Sequence, residues 1–320
     1  TEIVRRLRLA NPVRIVGSFD RPNLNWGVLS ADSFGQKTER LKALLRSRTG
    51  ATIVYASTRK TVEAVRRSLA RLGTDALPYH AGLPSDLRTW VQDRFLNDPM
   101  PVVVATNAFG MGIDRPDVRM VLHVQVPGSI EAYYQEAGRA GRDGDLAHCI
   151  ALHGRHDRRV HDRFIDRSHP PTWKIRDVHR ALLRRMGPDR CVEMPRSDLR
   201  SALGKKGSDE DVESVLKALA RCGSIVPAEG VDEVGLWIRR RSPSLTELHR
   251  TRKAEEGRLE AMMAYAGGRG CRRGMILEYF GEPGPKRGCG RCDRCTGGPK
   301  ELKVAMSPNR PGLFGAVARG

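Results

Sequence analysis

Four short apolar runs rich in β-branched residues, Ile53 to Tyr55, Val102 to Ala105, Val121 to Val126 and Cys149 to Leu152, punctuate the first half of the chain. Between them lie helix-period segments such as Thr61 to Leu72 and Ser85 to Leu96. This alternation predicts helices layered on a parallel sheet, an α/β fold.

From about Thr172 to Arg241 the period changes. Short amphipathic helices are expected around Ile175 to Met186, Pro195 to Leu203 and Asp209 to Cys222, followed by strand-like Ile225 to Val226 and Leu236 to Ile238. Three helices and a hairpin suggest a winged helix, and the Arg239-Arg240-Arg241 run favours DNA as its partner; a plain helical connector is the competing reading. Ser244 to Ala266 reads as a polar helix, with a second from Cys271 to Phe280 closing against it. From Thr296 onward Gly, Pro and Arg dominate without periodicity, as in a tail or linker. The 320 residues thus divide into an α/β domain over 1–155, a mainly helical winged-helix-like domain over 156–243, a helical module over 244–298 and a tail over 299–320.

The charge balance narrows the partners. Lys and Arg number 56 against 37 Asp and Glu, giving a formal charge of +19 and a field that concentrates polyanions, nucleic acid first. No signal peptide or long apolar span is present, which implies no membrane partner, and the use of cysteine suits a reducing cytoplasm.

In Gln135-Glu-Ala-Gly-Arg-Ala-Gly-Arg-Asp-Gly144, two guanidinium groups stand three residues apart on a helix face or helix-to-loop corner, with glycines permitting close approach to a phosphate chain. A transferring phosphoryl group spreads charge over its equatorial oxygens, and arginines delivered across a cleft stabilise that charge. Arg139 and Arg142 are therefore the candidate catalytic residues. Gly110 and Gly112 allow a tight loop by the cleft, and Asp114 can accept from a ribose, hold an arginine or simply sit in a turn. A strand followed by Ser or Thr and a helix N-terminus offers hydroxyl and N–H donors to a phosphate, so Ser57, Thr58, Arg59 and Thr106 are expected to touch a DNA backbone. His80 would either contact a phosphate or cap a strand.

The Gln135–Gly144 string resembles motif VI of the RecQ family of superfamily 2 helicases, and Ala105-Thr-Asn-Ala-Phe-Gly-Met-Gly-Ile-Asp114 resembles its motif V. Ile53-Val-Tyr-Ala-Ser-Thr-Arg59 is similar to motif IV, Tyr79-His-Ala-Gly-Leu83 to the element after it, and Ser18-Phe-Asp-Arg-Pro-Asn23 to the segment that opens this domain. The resemblance implies a second RecA-like domain over residues 1–155, ATP-dependent unwinding in the 3′ to 5′ direction, a nucleotide-coupling role for Gln135 and a DNA contact for His80. It further implies single-stranded DNA and duplex junctions as substrates, in a bacterial, nucleoid-associated setting.

Cys271 and the cluster Cys289-Gly-Arg-Cys292-Asp-Arg-Cys295 supply four thiolates whose short steps wrap one tetrahedral ion, a structural Zn²⁺ with no position left for water. Cys149, Cys191 and Cys222 lie in apolar patterns and read as core. The strings around the four cysteines resemble the RecQ zinc-binding domain. In the usual family order that domain directly follows the motor, whereas here residues 155–244 intervene, so no winged-helix DNA contact is carried over.

Neither G-x-x-x-x-G-K-[ST] nor D-E-x-H occurs: Gly204-Lys205-Lys206 lacks the frame, and Asp232-Glu233-Val234-Gly235 reads as a solvated turn. The expectation is the C-terminal portion of a longer helicase, inactive alone, whose ATP and Mg²⁺ are held with the N-terminal RecA-like domain of the same protein. A further C-terminal domain is possible. The alternative is a non-motor DNA-binding or regulatory protein with a degenerate RecA-like domain.

Overall fold

The computed structural model describes residues 4–297, apart from 6, 14, 16, 111, 205–206, 228–233 and 240–241. Lys205, Lys206, Asp232, Glu233, Arg240, Arg241 and the tail from residue 298 lie outside the described residues.

Six strands, β1 (Leu24–Ser30), β2 (Ala51–Tyr55), β3 (Leu77–Tyr79), β4 (Val102–Ala105), β5 (Val118–His123) and β6 (Ala147–His153), form one sheet in the order β1-β6-β5-β2-β4-β3. Every pairing in it is parallel. Helices α1 (Phe34–Arg46) and α2 (Arg59–Arg71) cover one face, where Leu41, Leu44, Val62, Val65 and Leu69 pack on Val54, Val104, Leu122 and Ile150. The other face carries α3 (Ser85–Asn97) and α4 (Ile130–Ala137), with Phe95 and Tyr133 buried against Ile53, Val103 and Val121. Burial of β2 and β4 along their whole length explains why their sequences are continuous apolar runs.

Two elements depart from the sequence pattern. The run Val121 to Val126 leaves the sheet at His123, because its ladder partner β2 ends at Tyr55; Val124 and Val126 stay buried beyond it. Strand β1 carries no apolar run, since Asn25 and Gly27 interrupt it, yet it pairs with β6 over seven residues at the sheet edge.

After α5 (Arg158–Ser168) the chain makes a self-contained excursion. Helices α6 (Thr172–Arg184), α7 (Arg196–Ala202) and α8 (Asp209–Arg221) pack on an antiparallel sheet of β7 (Cys191–Met194), β8 (Ile225–Pro227) and β9 (Val234–Ile238), ordered β7-β9-β8. Val178, Leu199, Val215, Leu219 and Leu236 are among the residues of its core, which is distinct from the sheet core and which Leu248, beyond the module, also joins. Three helices and a small sheet match the winged-helix-like expectation, with β7 as an added strand.

Helix α9 (Leu245–Gly267) then returns antiparallel to α5: Arg158 meets Glu260 at 3.3 Å and Arg252 meets Asp166 at 2.7 Å. Arg252 Nη1 also donates to the His169 carbonyl at 3.4 Å. The module of residues 170–244 is therefore inserted at the tip of an α5–α9 hairpin, which explains how an extra domain fits without displacing the helices and cysteines C-terminal to it. Helices α9, α10 (Arg272–Tyr279) and α11 (Asp293–Thr296) do not build a core of their own. Met262, Tyr265, Ile276 and Cys292 join the sheet core on the α4 face, and Asp293 Oδ2 accepts the Val28 N–H of edge strand β1 at 3.3 Å.

One buried ion pair ties the two ends of the α/β unit together. Lys37 Nζ lies 2.5 Å from Asp157 Oδ1, with the side chains 6% and 8% exposed, and Asp157 Oδ2 accepts the Gly154 N–H. Burial pushes the Lys37 ammonium below its ordinary range, and Asp157 opposes that shift. Lys37→Ala is expected to cost about 3–5 kcal/mol in urea unfolding, because it strands a buried carboxylate, whereas the joint Lys37→Met, Asp157→Leu exchange should recover most of that loss.

Candidate functional site

In a parallel sheet all carboxyl ends lie along one edge, and there the topology gathers the strand-end residues. β2, β4 and β3 are neighbours, so Ser57 to Arg59, Thr106 and His80, which come directly after them in the chain, are neighbours too. Thr58 caps α2, its hydroxyl accepting the Thr61 N–H at 3.0 Å. The first turn of α2 consequently directs N–H groups and partial positive charge off the edge, beside exposed Arg59 and Lys60. The Arg59 guanidinium lies over Gly82, where an added Cβ would come 2.8 Å from its Nη1, so the Tyr79–Leu83 loop packs on the same helix end. Ser57 N–H donates to Gln125 Oε1 at 3.3 Å, and Thr106 N–H donates to the Tyr79 carbonyl at 3.1 Å.

His80 is turned inward. Its Nδ1 accepts the Gly82 N–H at 3.2 Å, its Nε2 lies 3.4 Å from Glu63 Oε1, and its side chain is 9% exposed. Both ring nitrogens are thus spent on shaping the loop.

The second cluster forms where the turn after α4 meets the loop after β4. Arg139 Nη1 donates to the Gly110 carbonyl, and the guanidinium packs so closely that a Cβ at Gly110 would sit 2.2 Å from Cζ. Gly110 also has φ +133°, which favours glycine. Beneath it the Tyr55 hydroxyl donates to the Phe109 carbonyl at 3.0 Å. Arg142 Nη1 donates to Asp114 Oδ1 at 2.6 Å and to the Ile113 carbonyl at 3.3 Å. Of the three roles open to Asp114, holding an arginine is the one visible here. Gln135 is exposed on the last turn of α4, next to Glu136, whose carboxylate meets buried His123 at 2.8 Å.

Two residues that pattern reading passed over hold this turn from behind. Arg21 donates to the Gly138, Ala140 and Gly141 carbonyls at 3.3, 2.9 and 2.9 Å. Asn23 Nδ2 donates to the Gly141 and Asp145 carbonyls at 2.8 and 2.9 Å. Their only sequence signal is the Ser18–Asn23 string, because the carbonyls they bind lie far away along the chain.

The four cysteine sulfurs, Cys271, Cys289, Cys292 and Cys295, lie within 4.8 Å of one another, and Cys289 Sγ is 3.9 Å from Cys295 Sγ. A tetrahedral ion with metal–sulfur bonds near ~2.3 Å spaces its ligands by roughly 3.8 Å, so four soft donors at this separation fit structural zinc. Backbone N–H groups of Gly274 and Cys289 point at Cys271 Sγ, at 3.5 and 3.3 Å, and that of Cys292 points at Cys289 Sγ at 3.3 Å. Gly288 has φ +78° and no room for a Cβ, which would come 2.8 Å from Cys295 Sγ. Of the remaining cysteines, Cys149 and Cys222 are core; Cys191 is only half-buried, on β7.

The inserted module presents an unexpected charge. Its third helix, α8, opens on Asp209, Glu210 and Asp211, which suit the helix dipole but repel phosphate. Lys174 pairs with Asp211 at 2.5 Å and Arg167 with Glu210 at 2.6 Å, so this end is engaged by α6 and α5.

Burial holds the Cys271 thiol above its ordinary value and pushes Cys292 up to about 12, so metal binding must displace protons from them. Zinc affinity is accordingly expected to fall as pH falls, measured by competition with a chromophoric chelator between about pH 8 and about pH 6. Cys292→Ser should lower both the bound zinc and the unfolding midpoint.

A model of the helicase conserved C-terminal domain matches residues 36–144, and one of the RecQ zinc-binding domain matches residues 235–296. The RecQ-like DNA helicase blm-1 of Caenorhabditis elegans is 40% identical over 181 residues, 56% of this chain and 18% of that protein. The ATP-dependent DNA helicase RecQ of Bacillus subtilis is 40% identical over 169 residues, 52% of this chain and 28% of that protein. The chain thus spans well under half the length of these curated relatives. Among solved structures, the E. coli DEAD-box protein SrmB is similar over 43% of this chain and 81% of that chain, at 28% identity and a TM-score of 0.38. Two family models on separate stretches, joined by relatives at this identity, show that the chain belongs to the RecQ family of superfamily 2 helicases, as a C-terminal region.

Proposed function

We propose that this chain is the second RecA-like half of an ATP-dependent DNA helicase moving 3′ to 5′, with Arg139 and Arg142 as its arginine fingers. The observation that carries the reading is the pair of guanidinium groups anchored on adjoining loops by Gly110 and Asp114, at the carboxyl edge of the parallel sheet. The direction rests on family membership alone.

In this reading the N-terminal RecA-like domain of the same protein brings the P-loop and acidic motif, and with them ATP and Mg²⁺, against the arginine pair. Mg²⁺ bound there neutralises phosphate charge. Arg139 and Arg142 meet the negative charge that grows on the transferred phosphoryl group, while Gly110, Asp114 and Gln135 border the nucleotide. Ser57, Thr58, Arg59 and Thr106 grip the DNA backbone without reading bases, and His80 acts by fixing the loop under Arg59. Single strands and duplex junctions are the substrates, and this chain alone hydrolyses no ATP.

DNA-stimulated ATPase of the natural full-length protein tests the reading. Arg139→Ala and Arg142→Ala are each expected to lower kcat by roughly 10³-fold or more with DNA affinity retained. Activity that survives both changes, or none in the unaltered protein, would leave a DNA-binding module. Arg59→Ala is expected to weaken all DNA sequences alike and to reduce the slope of log affinity against log salt by about one.

A further inference from the structure

We propose that Arg21 is a positioning residue for the turn bearing Arg139 and Arg142, and that the zinc-binding module holds Arg21 in place, so that metal occupancy sets the geometry of the arginine pair. The inference rests on the function proposed above and adds to it a dependence on zinc.

Arg21 spends its planar fork on three carbonyls of one turn, those of Gly138, Ala140 and Gly141. A guanidinium can reach three such acceptors from one fixed plane, whereas an ammonium cannot. The turn has little slack: Gly141 has φ +55°, and a Cβ there would lie 2.5 Å from Asn23 Nδ2. Arg139 lies among these carbonyls and Arg142 directly follows them, so Arg21 holds the backbone that carries both.

The short segment around Arg21 belongs to no helix or strand, and it is gripped from the zinc side. Asp20 receives both Nε and Nη2 of Arg273, the former at 2.5 Å. Arg291 Nη1 donates to the Pro22 carbonyl at 3.0 Å. Glu282 accepts from the Ser18 hydroxyl at 2.6 Å and the Phe19 N–H at 2.8 Å. Phe19 stacks on Phe280 with centroids 4.3 Å apart and planes 7° from parallel. Tyr134 of α4 completes the link by donating to the Phe19 carbonyl at 2.7 Å.

Arg273 and Arg291 stand beside the metal ligands: one is two residues beyond Cys271, the other lies between Cys289 and Cys292. Their guanidinium groups therefore keep these positions only while the cysteines are gathered. A path of direct contacts runs from the cysteine loop through Asp20 and Pro22 to Arg21, and from Arg21 to the arginine turn.

Amide hydrogen exchange on this chain, zinc-loaded, is the first test. Arg21→Ala is expected to speed exchange across residues 138–145 by about tenfold or more while amides of β2 and β4 keep their rates. Asp20→Ala and removal of the metal by a chelator should loosen the same stretch, and Arg21→Lys should not restore it. In the full-length protein Arg21→Ala should lower kcat for ATP with KM little changed.

Unaltered exchange over 138–145, or an increase shared equally by the whole sheet, overturns the positioning role. Local loosening on Arg21→Ala without any response to chelation overturns the link to zinc. Local loosening in a full-length protein that hydrolyses no ATP supports the positioning and sinks the motor reading instead.

Discussion

The guanidinium of Arg272 is fully buried, and much of the molecule is arranged to make that tolerable. Asp293 faces it with both carboxylate oxygens, at 3.0 to 3.3 Å, the Tyr265 carbonyl accepts from its Nη1, and the Tyr265 ring lies 5.4 Å from its centre. A buried charge is costly unless paired and hydrogen-bonded, so these partners must come together for the fold to form. They belong to α9, to the cysteine loop and, through the Asp293 contact with Val28, to the edge of the six-stranded sheet. Cys271 and Cys292, next in the chain to Arg272 and Asp293, belong to the four-cysteine cluster, and the Arg272 N–H points at Cys292 Sγ at 3.4 Å. The zinc-binding region is thereby a structural part of the α/β unit.

That integration makes sense of the domain order. A module with its own core can be inserted wherever two ends of the chain already lie close, and the tip of the α5–α9 hairpin is such a place. The insertion leaves α9, α10 and the cysteines against the sheet. It also brings a third helix whose acidic first turn, exposed at Asp209 and Glu210, pairs with Lys174 and Arg167.

The two arginines and the carboxyl edge of the sheet are connected by the same economy of loops. The segment after β4 supplies Thr106 at the edge, Phe109 to Tyr55 in the core, and Gly110 and Asp114 to the arginines. One loop thus touches the sheet edge, the core and both arginines through packed backbone.

Much of this was legible in the chain. Apolar runs buried on both faces, as in β2 and β4, leave a pattern that needs no knowledge of neighbours, and four thiols at short spacing announce a metal because coordination chemistry fixes their number and type. The string containing Arg139 and Arg142 was visible because the complete motif resembles that of a known family. The features that stayed hidden depend on partners distant in sequence. Strand β1 is recognisable only beside β6, His80 turns inward only because Glu63 and Gly82 receive it, and Arg21 has meaning only where Gly138 to Gly141 fold back on it. The sequence by itself determined the α/β class through local periodicity and pointed to the four-cysteine cluster through donor chemistry and spacing, while the arginine-bearing string stood out by its family resemblance. The tertiary structure decided which side chains hold that string in place and that the zinc-binding helices share the sheet's core, because long-range hydrogen bonds and packing leave no period along the chain.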